Sequence, residues 1–121
     1  MEMEIKELVT KAHENASNKG FWEEEQNILQ KMIKSDDFNF KEVCKVTDAF
    51  TSQKLMLMVS ELSEALEALR KEDVSNFREE LADVVIRMGD LCGGYDIDLE
   101  SEIINKMDKN KDRPKLHGKL F

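Results

Sequence analysis

The chain has 121 residues and a formal net charge of −8, with 36% of its residues charged. That balance argues against non-specific capture of a nucleic-acid backbone, which is held mainly by Lys and Arg, and the length fits residues 1–121 as one domain around one hydrophobic core. One proline and five glycines, set among many Leu, Met, Glu, Lys and Ala residues, favour helices over strands.

The first helix is expected over residues 3–17, where Ile5, Leu8, Val9, Ala12 and Ala16 recur at helical spacing. Asn18-Lys19-Gly20 is its stop signal, with Gly20 suited to a left-handed C-terminal position. Phe21-Trp22-Glu23 opens a second helix to about Lys34, and Ser35-Asp36-Asp37 breaks it. Asn39 to Ala49 reads as a short helix. From Phe50 to Lys71 the helical signal is strong, with Leu55, Val59, Leu62, Leu66 and Leu69 in one stripe. Asp73 is a good N-cap for a helix to about Cys92, whose stripe is Phe77, Leu81, Val84, Val85, Met88 and Cys92. Gly93-Gly94 is read as its end. Asp96 or Asp98 caps a last helix to about Asp112, Pro114 limits it, and the tail is irregular. The short connection at Asp73 makes the two long helices antiparallel neighbours, so the expected fold is all-α: a helical bundle built around this hairpin, with the two apolar stripes at its centre.

Cys44 and Cys92 sit apart among apolar residues, and no disulfide framework is expected. The acidic N-terminus lacks the apolar core of a signal peptide. The longest apolar run, Leu55 to Val59, is too short to cross a bilayer. A cytoplasmic location without membrane or nucleic-acid partners is the expectation.

The two long helices echo one another. Glu61-Leu62-Ser63-Glu64 aligns with Glu80-Leu81-Ala82-Asp83, each a pair of acids at i, i+3 on one helix face. Both pairs lie away from the centres of the apolar stripes, so they are expected to line a separate cleft or a subunit seam. Four converging carboxylates would repel one another, and one or two hard divalent cations would remove the conflict. Spacing alone does not separate such a site from a solvated acidic face. A di-iron bundle would want Glu-x-x-His on two helices, and neither His13 nor His117 has an acid three residues upstream. On the last helix Lys106, Asn110 and Arg113 share a face that could meet phosphate and sugar, or could simply be solvated alongside Asp108 and Asp112. Trp22 reads as a packing residue at a helix start, with stacking on a nucleobase as the other role open to it.

Four segments of this sequence, ENASNKGFWE ending at Glu23, LMVSELSEALEALR (Leu57–Arg70), EELADVVIRMGDL (Glu79–Leu91) and KMDKNKDRPKLHGKLF (Lys106–Phe121), resemble the MazG-like nucleoside triphosphate pyrophosphohydrolases. The combination of E-x-x-E and E-x-x-D with K-M-x-x-N-x-x-R-P and H-G-K-x-F carries most of the likeness. The resemblance implies an all-α homodimer or homotetramer that cleaves a nucleoside triphosphate to monophosphate and pyrophosphate. It implies Mg2+, with Mn2+ as a substitute, held by Glu61, Glu64, Glu80 and Asp83. One of these acids would be the general base, and the sequence does not say which. Lys106 and Asn110 match positions near the substrate, and Arg113, Arg87 and Trp22 complete the expected contacts. The stretch between Trp22 and Leu55 is longer than in compact relatives, which leaves Trp22's place in the pocket and the base preference open. Phosphoribosyl-ATP, dUTP or dCTP as the substrate, a non-catalytic helical interaction module, and a slow nucleotide sensor are the alternatives.

Overall fold

A computed structural model describes residues 3–121. It is an all-α bundle of five helices: α1 (Ile5–Asn18), α2 (Glu23–Lys34), α3 (Phe40–Arg70), α4 (Val74–Gly94) and α5 (Leu99–Lys111), followed by a 3₁₀ turn at Lys115–Gly118. α3 and α4 form the antiparallel hairpin. α1 packs on the other side of α4, α2 lies on α3, and α5 touches α1. None of the described helices is long and apolar enough to cross a membrane.

The local signals explain most boundaries. Gly20 takes a φ of 83° and lets the Phe21 amide reach back to the Ala16 carbonyl, closing α1. Asp73 caps α4 by accepting from the Asn76 amide at 3.1 Å, and Asp98, rather than Asp96, caps α5 through Ser101. The short helix expected over Asn39–Ala49 is not separate. Asn39 and Glu42 form a reciprocal capping box, and the helix they open runs on without a break to Arg70. No Gly or Pro lies between Asn39 and Arg70 to interrupt it.

The leucine stripe is not the centre of the bundle. α3 carries two heptad-spaced stripes, one residue apart and therefore about 100° apart around the axis. The first runs through Thr47, Thr51, Lys54, Met58, Glu61, Ala65 and Ala68, all buried or half-buried. The second is Leu55, Val59, Leu62, Leu66 and Leu69, which remain 48–56% exposed. Ala65 and Ala68, each 3% exposed, are small enough to let the two hairpin helices approach closely. The more hydrophobic stripe thus faces outward, as do Leu81, Val85 and Met88 on α4.

Gly93 and Gly94 do not end α4 by flexibility; they lie inside its last turn. A Cβ at Gly93 would strike His13, and one at Gly94 would overlap the Trp22 ring. Alanine normally stabilises a helix interior over glycine. Here Gly94→Ala is expected to destabilise by about 1–3 kcal/mol through overpacking. It should also shift the emission of the chain's single tryptophan, so thermal melts read alongside fluorescence check both effects.

Candidate active site

The hairpin seam brings carboxylates together. Glu61 and Glu64 on α3 and Glu80 on α4 each place an oxygen within 4.8 Å of the others. Two features put them there. Glu61 belongs to the buried stripe of α3, one turn before Ala65, and Glu64 follows one turn later at its margin. Glu80 projects from the facing side of α4. Asp83 is not part of this triad: it is exposed and stands with Glu61 and Arg87 in the wall of an adjoining cavity.

The electrostatics are those of an acid cluster with too few cations. Arg87 Nε donates to Glu61 Oε1 at 2.9 Å. Glu80 Oε2 is sealed from solvent and meets no donor. A proton resolves this: hydrogen bonding to Glu61, with desolvation and the Glu64 charge added, raises Glu80 from an ordinary 4.5 to about 7. Hydrogen bonding from Glu80, then Arg87, holds Glu61 below its usual range. An all-oxygen donor set with a sealed, unpartnered carboxylate oxygen fits a hard divalent cation, which would replace the shared proton.

A pH dependence follows. The fold favours protonated Glu80, so its contribution to stability without metal is full below about 4.5 and is lost as pH rises through about 7. A divalent cation held there would have to displace that proton, so its affinity should rise over the same interval and level off above it. Calorimetry in two buffers of different ionisation enthalpy should show proton release at pH 6 and little at pH 8. Equal affinity at both values would contradict the shared proton.

Two cavities flank the triad. One, of about 460 Å³, is an open groove bordered by Glu64, Glu80, Ser60, Asp73 and Asn76. The other, of about 470 Å³, runs from Glu61, Asp83 and Arg87 to Trp22, Glu25 and Lys54. At that far end the side chains are tightly interlocked. Trp22 is 4% exposed; its Nε1 donates to Asp90 Oδ1 at 2.8 Å, and His13 Nδ1 lies 3.0 Å from the same oxygen. His13 and Tyr95 meet the indole edge-to-face. Lys54 Nζ sits 4.4 Å from its centroid and 2.6 Å from Glu25 Oε1. Trp22 is therefore a fixed wall of the cavity and not an open stacking platform.

Lys106, Asn110 and Arg113 line neither cavity. α5 packs on α1, away from the hairpin seam, with Lys106 and Arg113 exposed and Asn110 Oδ1 sealed without a partner. Glu25, Lys54, Asp90 and Tyr95 were not singled out from sequence. Glu25 falls in a run of three glutamates, and Lys54 precedes the apolar run at Leu55, so neither carries a local signal. The signal available was the heptad through Thr47, Thr51, Lys54 and Met58, which places Lys54 inside.

Residues 50–117 match the model of the MazG nucleotide pyrophosphohydrolase domain, more than half of the chain. The chain belongs to the MazG family. Comparison with curated proteins and with solved structures gives no match. Membership supports nucleotide pyrophosphohydrolase activity in general and a nucleotide as substrate. The matched MazG segment holds all four acids, Arg87 and the α5 face. It leaves out α1, α2 and the turn between them, which supply Ala12, Trp22 and Glu25 to the cavity.

Proposed function

We propose that this MazG-family chain hydrolyses nucleoside triphosphates to nucleoside monophosphate and pyrophosphate in a magnesium-dependent reaction. The observation that carries the reading is the carboxylate triad at the hairpin seam, flanked by a groove at Glu64 and Glu80 and, at Glu61, by a cavity large enough for a nucleotide. Glu61, Glu64 and Glu80 would hold the metal, and Asp83, on the cavity wall beside Glu61, would complete the set. Bound there, magnesium supplies charge neutralisation for the triphosphate and a means of activating water.

The remaining work falls to the chain. Arg87 neutralises phosphate oxygens with a guanidinium that already points at Glu61. Water attacks the α-phosphorus, the bond to the bridging oxygen breaks, pyrophosphate leaves, and one of the four acids takes the proton. The nucleoside lies toward Trp22.

The protein acts as a homodimer or a dimer of dimers, with the outward leucine stripe of α3 covered by a second copy. Exposed stripes of this length mark interfaces. The second copy would also bring an α5 face, with Lys106, Asn110 and Arg113, to the phosphates that its own chain does not reach. A cytoplasmic role in clearing non-canonical nucleotides suits this chemistry.

The test is a panel of canonical and modified triphosphates, including dUTP, dCTP and phosphoribosyl-ATP, with magnesium, scoring pyrophosphate against orthophosphate. Pyrophosphate from one or more of them is expected. Retained assembly with no hydrolysis of any would indicate a helical interaction module. Tight binding of a non-hydrolysable analogue with negligible turnover would indicate a sensor.

A further inference from the structure

The far end of this cavity contains an ion pair, between buried Glu25 and half-buried Lys54, that does not saturate itself. Glu25 is 6% exposed, and its Oε1 accepts from both Lys54 Nζ at 2.6 Å and Tyr95 Oη at 3.0 Å. Its Oε2 accepts from no described residue, yet it is not among the sealed, unpartnered oxygens. It thus keeps some accessible surface, on a residue that lines the cavity. Lys54 has three N–H donors and makes one hydrogen bond among the described residues, to Glu25. Its ammonium otherwise faces the Trp22, Phe50 and Tyr95 rings, and it lines the same cavity.

A purely structural ion pair in a bundle would be expected to use up its donors and acceptors, because each one left over has a desolvation cost. Here one carboxylate oxygen and the ammonium hydrogens not given to Glu25 are left over on two paired residues, both of which line the cavity that also reaches Glu61, Asp83 and Arg87. A ligand edge that offers a carbonyl oxygen beside an N–H satisfies both. The ammonium takes the carbonyl oxygen, the more electron-rich acceptor, and the carboxylate takes the lactam N–H, a more acidic donor than an aromatic amine.

We propose that Glu25 and Lys54 read the pairing edge of the nucleobase and select bases with an O=C–N–H lactam edge over bases with an amino-pyrimidine edge. Uracil, thymine, guanine and hypoxanthine have that edge; adenine and cytosine do not. The inference rests on the proposed reading of the cavity as a nucleotide site. Tyr95 and Thr51 act behind the pair as positioning residues, Thr51 Oγ1 donating to Tyr95 Oη at 3.2 Å and Tyr95 to Glu25.

Matched substrates isolate the edge. Inosine and adenosine triphosphates differ only there among purines, as uridine and cytidine triphosphates do among pyrimidines. The wild-type protein should favour inosine over adenosine, and uridine over cytidine, by roughly tenfold or more in kcat/KM, since a site built to hydrogen-bond a group rejects the analogue without it. Glu25→Gln, and the neutral pair Glu25→Gln with Lys54→Met, should bring both ratios close to one. Thermal melts of both variants show whether they fold, and either folded variant suffices. Ratios near one in the wild type, or ratios unchanged in a folded variant, would overturn the proposal.

Binding gives an independent readout. Trp22 is the only tryptophan, it lies beneath the Lys54 ammonium, and its emission should respond to a base placed there. Inosine monophosphate should titrate this signal at lower concentration than adenosine monophosphate. If no triphosphate is cleaved, the catalytic reading fails while this titration still decides base selection. Equal or absent responses to the two monophosphates overturn it.

Discussion

Glu64→Gln should cut pyrophosphate release on the order of a hundredfold or more, since losing even an outer-shell partner of a metal ligand costs roughly 10–100-fold. The same change should leave the metal-free protein as stable as before, or more so. It removes one of three carboxylates that repel within 4.8 Å, and Glu64 contributes to the raising of Glu80. A fall in activity paired with unchanged or higher melting temperature separates a functional cluster from a structural one. Asp83→Ala should also lose activity, although Asp83 stands outside the triad, because it shares the cavity wall with Glu61 and Arg87. Steady-state rates at saturating magnesium, with melts in its absence, check both variants. Full activity in either would sink that residue's place in the metal set.

Leu62→Glu together with Leu66→Glu should convert the proposed homo-oligomer to monomers. These residues are 48% and 56% exposed within one chain, in the middle of the outward stripe of α3. Covering a half-exposed leucine contributes roughly 1 kcal/mol, so the five-residue stripe supplies several on association. Two carboxylates in the covered face would reverse that gain through desolvation. The monomer should keep its helical signal, because the buried stripe through Met58, Ala65 and Ala68 is untouched. It should lose activity if the second copy supplies the α5 face. Sedimentation velocity with circular dichroism tests this; an unchanged mass for the double variant would contradict the interface.

The fold was largely legible because its signals are local. Gly20, Asp73 and Asp98 each stop or cap a helix through a bond to a nearby amide or carbonyl. The packing was less legible. Hydrophobicity picked out the Leu55–Leu69 stripe as the centre, whereas the chain buries the neighbouring stripe of Thr47, Lys54, Glu61 and Ala65. The two are one residue apart, and periodicity cannot say which faces the chain's own α4. The choice follows from size, since alanines allow the close approach that leucines prevent. The acids divide in the same way. The i, i+3 echo points to Glu61, Glu64, Glu80 and Asp83 alike; the first three place oxygens within 4.8 Å of one another, and Asp83 stands beside Glu61 in the wall of the adjoining cavity. Glu25, Lys54 and Asp90 were invisible because their pairing spans 29 to 77 residues and leaves no trace in spacing.

In the proposed reaction, water attacks the α-phosphorus at the carboxylate cluster. Hydrolysis of a nucleoside triphosphate in ¹⁸O-labelled water, with mass analysis of the products, tests it most directly. The label should appear in the nucleoside monophosphate, with unlabelled pyrophosphate and no orthophosphate formed in the primary step. Label in orthophosphate accompanied by a nucleoside diphosphate would contradict it.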